Sequence, residues 1–256
     1  MARVTPQSRS ARIRALVAEQ AARRHARVSV VDVCTAAVAA LPVGGAGVSA
    51  MSRAAASHPL CSTDDISRQL EELQLTLGEG PCVDAFTHGS AVLAPDLRTG
   101  ELQDRWPVFA GAALEAGALA AFALPLQMGA ISPGVLDLYS RVPVQLDAEE
   151  LADALAFADI ATLVLLDTQI DETGATAVGM LLDGRFEDLG SYRAEIDQAT
   201  GMLTVQLGVG IEEAFVRLRA HAYAQGRRLA EVAADVVARR LSISPNPDPD
   251  PGDDDA

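Results

Sequence analysis

FEDLGSYRAEIDQATGMLTVQLGVGIEEAFVRLRAHAYAQGRRLAEVAADVVARRL, residues Phe186 to Leu241, carries three apolar stripes of helical period separated by glycines. The first runs through Phe186, Leu189, Tyr192, Ile196, Ala199, Leu203 and Leu207 and ends at Gly208, a residue type suited to the left-handed C-terminal cap. The second uses Ile211, Ala214, Phe215, Leu218 and Ala222 and stops at Gly226; the third uses Leu229, Val232, Ala233, Val236 and Arg240. Short amphipathic helices with tight links bury their stripes against one another, so residues 185–242 are expected to form a small all-α three-helix bundle.

Upstream, 171–184 places Gly174, Gly179 and Gly184 among small residues and reads as a linker. Before it, Asp147 with Glu150 has the form of a capping box, and Leu146 can staple onto Leu151. The helix so opened repeats Leu151, Leu155, Ala158, Thr162 and Leu165, which fits either a seam between paired helices or a core-facing stripe. Leu119–Gln127 and Gly134–Ser140 read as strands, with Leu136 and Leu138 on one face and Val135, Asp137 and Tyr139 on the other. Further helices are expected at Val30–Leu41, from Ser62 with a Cys61–Ile66 staple, and at Pro107–Ala116, with a short strand at Ala91–Ala94. This order gives an α+β domain over 28–170, an antiparallel sheet flanked by helices. A basic helix at 1–27 precedes it, and a disordered acidic tail, 243–256, closes the chain.

The chain has 256 residues, 49% hydrophobic and 4% aromatic, enough to bury a core of Ala, Val and Leu. Its longest apolar run, Ala116–Leu126, is too short to span a bilayer, and no signal-peptide pattern is visible, so a cytoplasmic protein without a membrane partner is expected. The net charge of −15 disfavours nucleic acid at first sight. Yet residues 1–27 hold seven Arg and one Glu, and 189–242 hold seven Arg against six acids, so the bases gather at the ends. No lysine occurs, and the bases at the bundle are all arginine.

Cys34, Cys61 and Cys82 form an odd set without C-x-x-C, against a disulfide framework or a zinc site of familiar spacing, and are expected to be buried; no metal site is assigned. The histidines, His25, His58, His88 and His221, are isolated, and neither G-x-S-x-G, H-E-x-x-H nor a P-loop is present, so no enzyme is expected. The candidates lie in the bundle. Arg219 falls about 80° from Ile211 at the border of the apolar stripe, Arg217 lies toward the other flank, Arg227 and Arg228 sit at the last bend, and Arg193 lies on the first helix. Such a rim can fork onto phosphate oxygens, or pair with Glu212, Glu213 and Glu231 as a solvated face.

IDQATGML (Ile196–Leu203) followed by EEAFVRLRAHAYAQGRRLAEVAADVV (Glu212–Val237) resembles the ANTAR domain. Ala199, Gly201, Ala214, Leu218, Arg219, Ala222 and Ala233 stand at that family's motif positions. TLGEGPCVDA (Thr76–Ala85), RWP (Arg105–Pro107), FALPLQMG (Phe122–Gly129) and GVLDLY (Gly134–Tyr139) are similar to the GAF domains that accompany ANTAR domains in transcription antitermination regulators of actinobacterial type. The resemblance implies a dimer whose ANTAR helices bind paired stem-loops of nascent RNA and prevent terminator formation. It places RNA contacts at Arg219, Gly201 and Thr200, beside the candidates Arg193, Arg217, Arg227 and Arg228 read from the residues. Many ANTAR domains carry a base where this chain has Thr200. The GAF-like domain is then a sensor for a small molecule in a pocket between sheet and helices. The chain lacks the signature of cyclic-nucleotide GAF domains, and neither the ligand nor any cofactor is identified. Two further readings are a bundle that docks on a protein partner without RNA, and a DNA-binding helix-turn-helix. The latter is poor in base-reading side chains after Leu229.

Overall fold

The computed structural model describes residues 6–51, 58–171 and 187–243, with side chains for 8–51, 58–167 and 195–243. The linker expected at 171–184 begins at the end of a described helix and otherwise lies outside these residues, as does all but the first residue of the tail expected at 243–256. Two compact units divide at Leu189/Gly190.

In the first unit, β1 (Gly45–Ala50), β2 (His58–Ser62), β3 (Val92–Ala94), β4 (Ala120–Met128) and β5 (Ile131–Ser140) form one sheet of order β2-β1-β5-β4-β3, antiparallel throughout. Period-2 alternation assigns the two faces. Leu136 and Leu138 of β5 join Phe122, Leu124 and Leu126 of β4 in one apolar core. Against that face pack α2 (Val30–Ala40) and α7 (Ala148–Asp171), and α1 (Pro6–Arg23) packs on these two helices. Val135 and Tyr139 point to the opposite core, built with α3 (Asp65–Leu77), α4 (Pro81–His88), α5 (Gly100–Arg105) and α6 (Phe109–Glu115). The α+β class and the β5 alternation are as the sequence pattern predicts.

Several local expectations are corrected by tertiary context. Ser62 does not open α3: it pairs with Gly47 in the sheet, and Asp64 is the cap, its Oδ1 accepting from Ser67 N–H at 2.8 Å. Cys61 and Ile66 form no staple, because they enter opposite cores. The box at Asp147 does form: Asp147 Oδ1 accepts from Glu150 N–H at 2.8 Å while Glu150 Oε2 accepts from Asp147 N–H at 2.8 Å. On α7 the buried face is Ala154, Phe157, Ala158, Ala161 and Thr162, with Leu151 and Leu165 packed at its edge. Of the stripe that could have paired two subunits, only Leu155 is left exposed, at 43%, so the core-facing alternative holds for the rest.

The basic N-terminal helix is no appendage. Ile13 and Val17 are buried in the first core, and Arg9 donates to Asp153 at the start of α7 (2.9 Å). Arg24 forks onto Asp32, at 2.8 and 2.6 Å. Burial alone would raise the Asp32 pKa; hydrogen bonds from Arg24 and Ser29 outweigh it and hold the carboxyl below its usual range.

The second unit contains α8 (Glu187–Leu207), α9 (Ile211–Ala224) and α10 (Leu229–Val237), with Gly208 and Gly226 in the left-handed conformation at the two links. Ile196, Ala199, Leu203, Ala214, Leu218, Ala222, Leu229, Val232, Ala233 and Val236 are buried, as their spacing predicts. Ile211 departs from the stripe and is 58% exposed; Arg240 lies beyond α10 and pairs with Asp235. Phe186 lies outside the described residues, and of Leu189 and Tyr192 only the helical backbone is described. No helix among the described residues is long and apolar enough to cross a membrane.

Candidate functional site

The six described residues among those read as RNA contacts differ in burial and in partners. Arg219 is half-buried, its guanidinium 5.6 Å from the centroid of the Phe215 ring one turn earlier, and burial lowers its pKa from the usual arginine value. A guanidinium fixed on an aromatic face loses less rotamer freedom when it meets a phosphate. Arg217 lies two residues away, about 200° around the helix by the 100° step, and donates to Glu213 at 2.6 Å. Arg227 reaches Asp235 (2.6 Å) and Arg228 reaches Glu231 (2.8 Å), while Arg240 joins the same Asp235 (2.8 Å). These hydrogen bonds hold the Asp235 carboxyl below its usual pKa.

Arg193 belongs to α8, but its side chain lies outside the described residues. Thr200 is only 3% exposed, and its hydroxyl donates to the Ile196 carbonyl at 2.7 Å, closing on its own helix in the manner of helical threonines. A phosphate contact expected there finds the donor turned inward.

Gly201 is the reverse case. A Cβ added there meets nothing within 4 Å, and its backbone is ordinary helix, so packing does not require glycine. Gly201→Ala should stabilise the second unit by up to about 1 kcal/mol through helix propensity. Thermal unfolding checks this; a variant less stable than wild type would mean that the position is packed after all.

The first unit holds a second concentration of polar chemistry, between the sheet and α3/α4. Ser67, Glu71 and Gln74, at i, i+4 and i+7 on α3, are all buried, so this helix turns a polar stripe inward. Ser49 donates to Glu71 in a short hydrogen bond, and Gln74 Oε1 accepts from Cys82 N–H at 2.7 Å. Asp137, partnered with Gly47 across the β1–β5 ladder, completes the group. Burial pushes the Glu71 carboxyl and the Cys82 thiol well above their usual pKa values, and raises Asp137 to about 6 against hydrogen bonds that lower it.

The space beside these groups is lined by Gly47, Ser67, Glu71, Gln74, Phe109 and Tyr139 among others. It lies where a sensor pocket was expected but has room for about one water molecule. Tyr139 donates to Asp64 in a short bond at its rim, and burial and that bond push the phenol up to about 12.

All three cysteines are buried, as expected. Cys34 and Cys61 nonetheless meet, Sγ to Sγ 2.9 Å, from α2 and β2 across a separation that no local motif signals. The inward polar stripe on α3 was also missed. Its spacing is visible in the sequence, but polar residues at helical period ordinarily mark the solvent face.

Residues 191–237 match the ANTAR domain family. No match is found among curated proteins. Among solved structures, the chain is similar to the GAF domain of a phosphoenolpyruvate-protein phosphotransferase from Acinetobacter (12% identity, TM-score 0.48, covering 68% of this chain and 99% of that one). It is also similar to the GAF domain of such a protein from Coxiella burnetii (12% identity, TM-score 0.46, covering 64% and 98%). A third is a free methionine-R-sulfoxide reductase from Neisseria meningitidis, described in complex with its substrate (14% identity, TM-score 0.41, covering 63% and 92%). The ANTAR motif positions make physical sense in α8–α10: Ala199, Ala214, Leu218, Ala222 and Ala233 are all fully buried, and Arg219 stands at the rim. The chain is thus an α+β unit built on a five-stranded antiparallel sheet, followed in sequence by a helical segment, 191–237, that matches the ANTAR domain family.

Proposed function

We propose that this protein is a ligand-responsive transcription antitermination regulator: a GAF-type sensor, 28–170, controls an ANTAR output module, 185–242, that binds stem-loop RNA as a homodimer. The observation that carries the reading is the ANTAR match at 191–237, whose motif positions form the interior and rim of α8–α10. RNA contact is assigned first to Arg219, which stands at the rim on an aromatic face, then to Gly201, whose open backbone admits close approach. Arg193, Arg217, Arg227 and Arg228 are supporting candidates. The small molecule sensed is not specified by this reading, the protein acts in the cytoplasm, and no catalytic step is assigned to it.

A second reading is a regulator whose helices dock on a protein partner without RNA. The pairing of Arg217, Arg227 and Arg228 with Glu213, Asp235 and Glu231 favours it, because bases already matched by acids add little net attraction for phosphate. Stem-loop binding measured as a function of salt separates the two. The RNA reading expects affinity to fall steeply with added salt, and Arg219→Ala combined with Arg217→Ala to flatten the log–log slope by about 1 per lost contact. No binding at low salt removes it.

A further inference from the structure

Glu71, Cys82 and Asp137 each offer one donor atom, and the three atoms lie within 4.8 Å of one another. They come from α3, α4 and β5, so the grouping is made by the tertiary fold. Glu71 and Cys82 are each 1% exposed. Asp137 as a residue is partly exposed and its carboxyl is hydrogen-bonded with Cys82, Glu71 and Gln74, yet its Oδ2 atom is out of solvent and has no partner. A buried carboxylate oxygen left in that state is costly unless a proton or a cation meets it.

The surroundings are shaped for the grouping. Gly47 stands opposite Asp137, and a Cβ there would come within 2.5 Å of Glu71 Oε1, so only glycine leaves the Glu71 carboxyl its place. Ser49 and Gln74 hold Glu71 and the Cys82 backbone in position, as an outer shell does for ligands. The adjoining space takes about one water.

We infer that Glu71, Cys82 and Asp137 form a binding site for a divalent transition-metal ion, Zn2+ or Fe2+ in class, with a fourth position open to water or a small ligand. One thiolate with two carboxylates is too soft a set for Mg2+ or Ca2+, which take oxygen alone. In a tetrahedral zinc site, such atoms stand roughly 3.4–3.6 Å apart. The present separations are all bounded by 4.8 Å, which brackets that spacing. Three anionic ligands against a dication leave one net negative charge in the filled site. Three protein ligands and one exchangeable position are the pattern of a site that reacts to what it binds. As an account of what is sensed, this rests on the sensor reading above; as an account of metal binding, it does not.

Titration of the full chain with Co2+, followed by absorbance, tests it, with Zn2+ competition and metal analysis after gel filtration. The expected result is one ion per chain with a thiolate-to-cobalt band in the near ultraviolet, lost in Cys82→Ser. Glu71→Gln and Asp137→Asn keep the side-chain shape while removing charge, and should bind at least about tenfold more weakly. Their thermal unfolding without metal, unchanged or improved, shows that the fold survives. Cys34→Ala combined with Cys61→Ala should keep the band. Substoichiometric binding, a band that persists in Cys82→Ser, or one that needs Cys34 or Cys61, overturns the site. Stem-loop binding is read in a separate assay, so a failed metal site leaves the RNA reading standing, and a failed RNA assay leaves the metal site standing.

Discussion

Trp106→Ala is expected to destabilise the α+β unit by about 3–5 kcal/mol, the range for removing a large aromatic from a core that cannot collapse around the void. Trp106 is 1% exposed and meets Phe109 edge-on, with ring centroids 6.2 Å apart. Its indole N–H donates to Asp84 Oδ2 (3.2 Å), an acceptor shared with Arg105, whose guanidinium also lies 4.9 Å from the indole centroid. The side chain therefore ties the α5–α6 corner to α4 by packing and by a hydrogen bond. Trp106→Phe keeps most of the apolar volume and loses the bond to Asp84, so it should cost about 1–2 kcal/mol less than the alanine change. Urea unfolding followed by far-ultraviolet circular dichroism reads both variants, since the only tryptophan is the residue removed. A loss below about 1 kcal/mol for Trp106→Ala would contradict its central place in the second core.

The other large effect is expected from the smallest change. A methyl added at Gly134 would stand 2.1 Å from the Ser49 carbonyl oxygen, and the atoms next nearest, at 3.1 and 3.2 Å, are backbone as well. No flexible side chain is there to yield. Gly134 lies on β5 between β1 and β4, at the last pair of the β1–β5 register, opposite Ala50 on one side and Leu126 on the other. Gly134→Ala must therefore part the strands or shift their register, at the upper end of the 1–3 kcal/mol typical of overpacking or beyond it. Gly111→Ala on α6, where an added methyl meets nothing within 4 Å, is the matched control and should be neutral or stabilising by up to about 1 kcal/mol. Thermal unfolding of the two variants side by side gives the answer, and equal midpoints would refute the close approach of β1 and β5.

The parts of this protein legible in its sequence are those decided by near neighbours. The stripes of α8–α10 are readable because helical spacing alone turns Ala199, Leu203, Leu218 and Val232 inward. The Asp147–Glu150 box is readable because both partners lie within one turn. The β5 alternation follows from a strand buried on both faces. Where a second element competes, the reading fails. Ser62 has the chemistry of a helix cap, but pairing with Gly47 takes it into the sheet and leaves the cap to Asp64.

The candidate sites divide in the same way. The ANTAR motif was legible because its residues repeat within short helices, and Arg219 falls at the rim by counting. That Thr200 turns its hydroxyl onto its own helix, and that Arg217 and Arg228 meet acids one turn away, depends on rotamers that spacing does not select.

Near-neighbour chemistry was thus sufficient for the class of fold and for the helical stripes of α8–α10, since periodicity, caps and glycine turns act over a few residues. The meeting of Glu71 with Cys82 and Asp137, and of Cys34 with Cys61, was decided only by the tertiary fold. Each partner sits on a different helix or strand, and the hydrophobic burial that brings those elements together carries no local record of which polar groups it encloses.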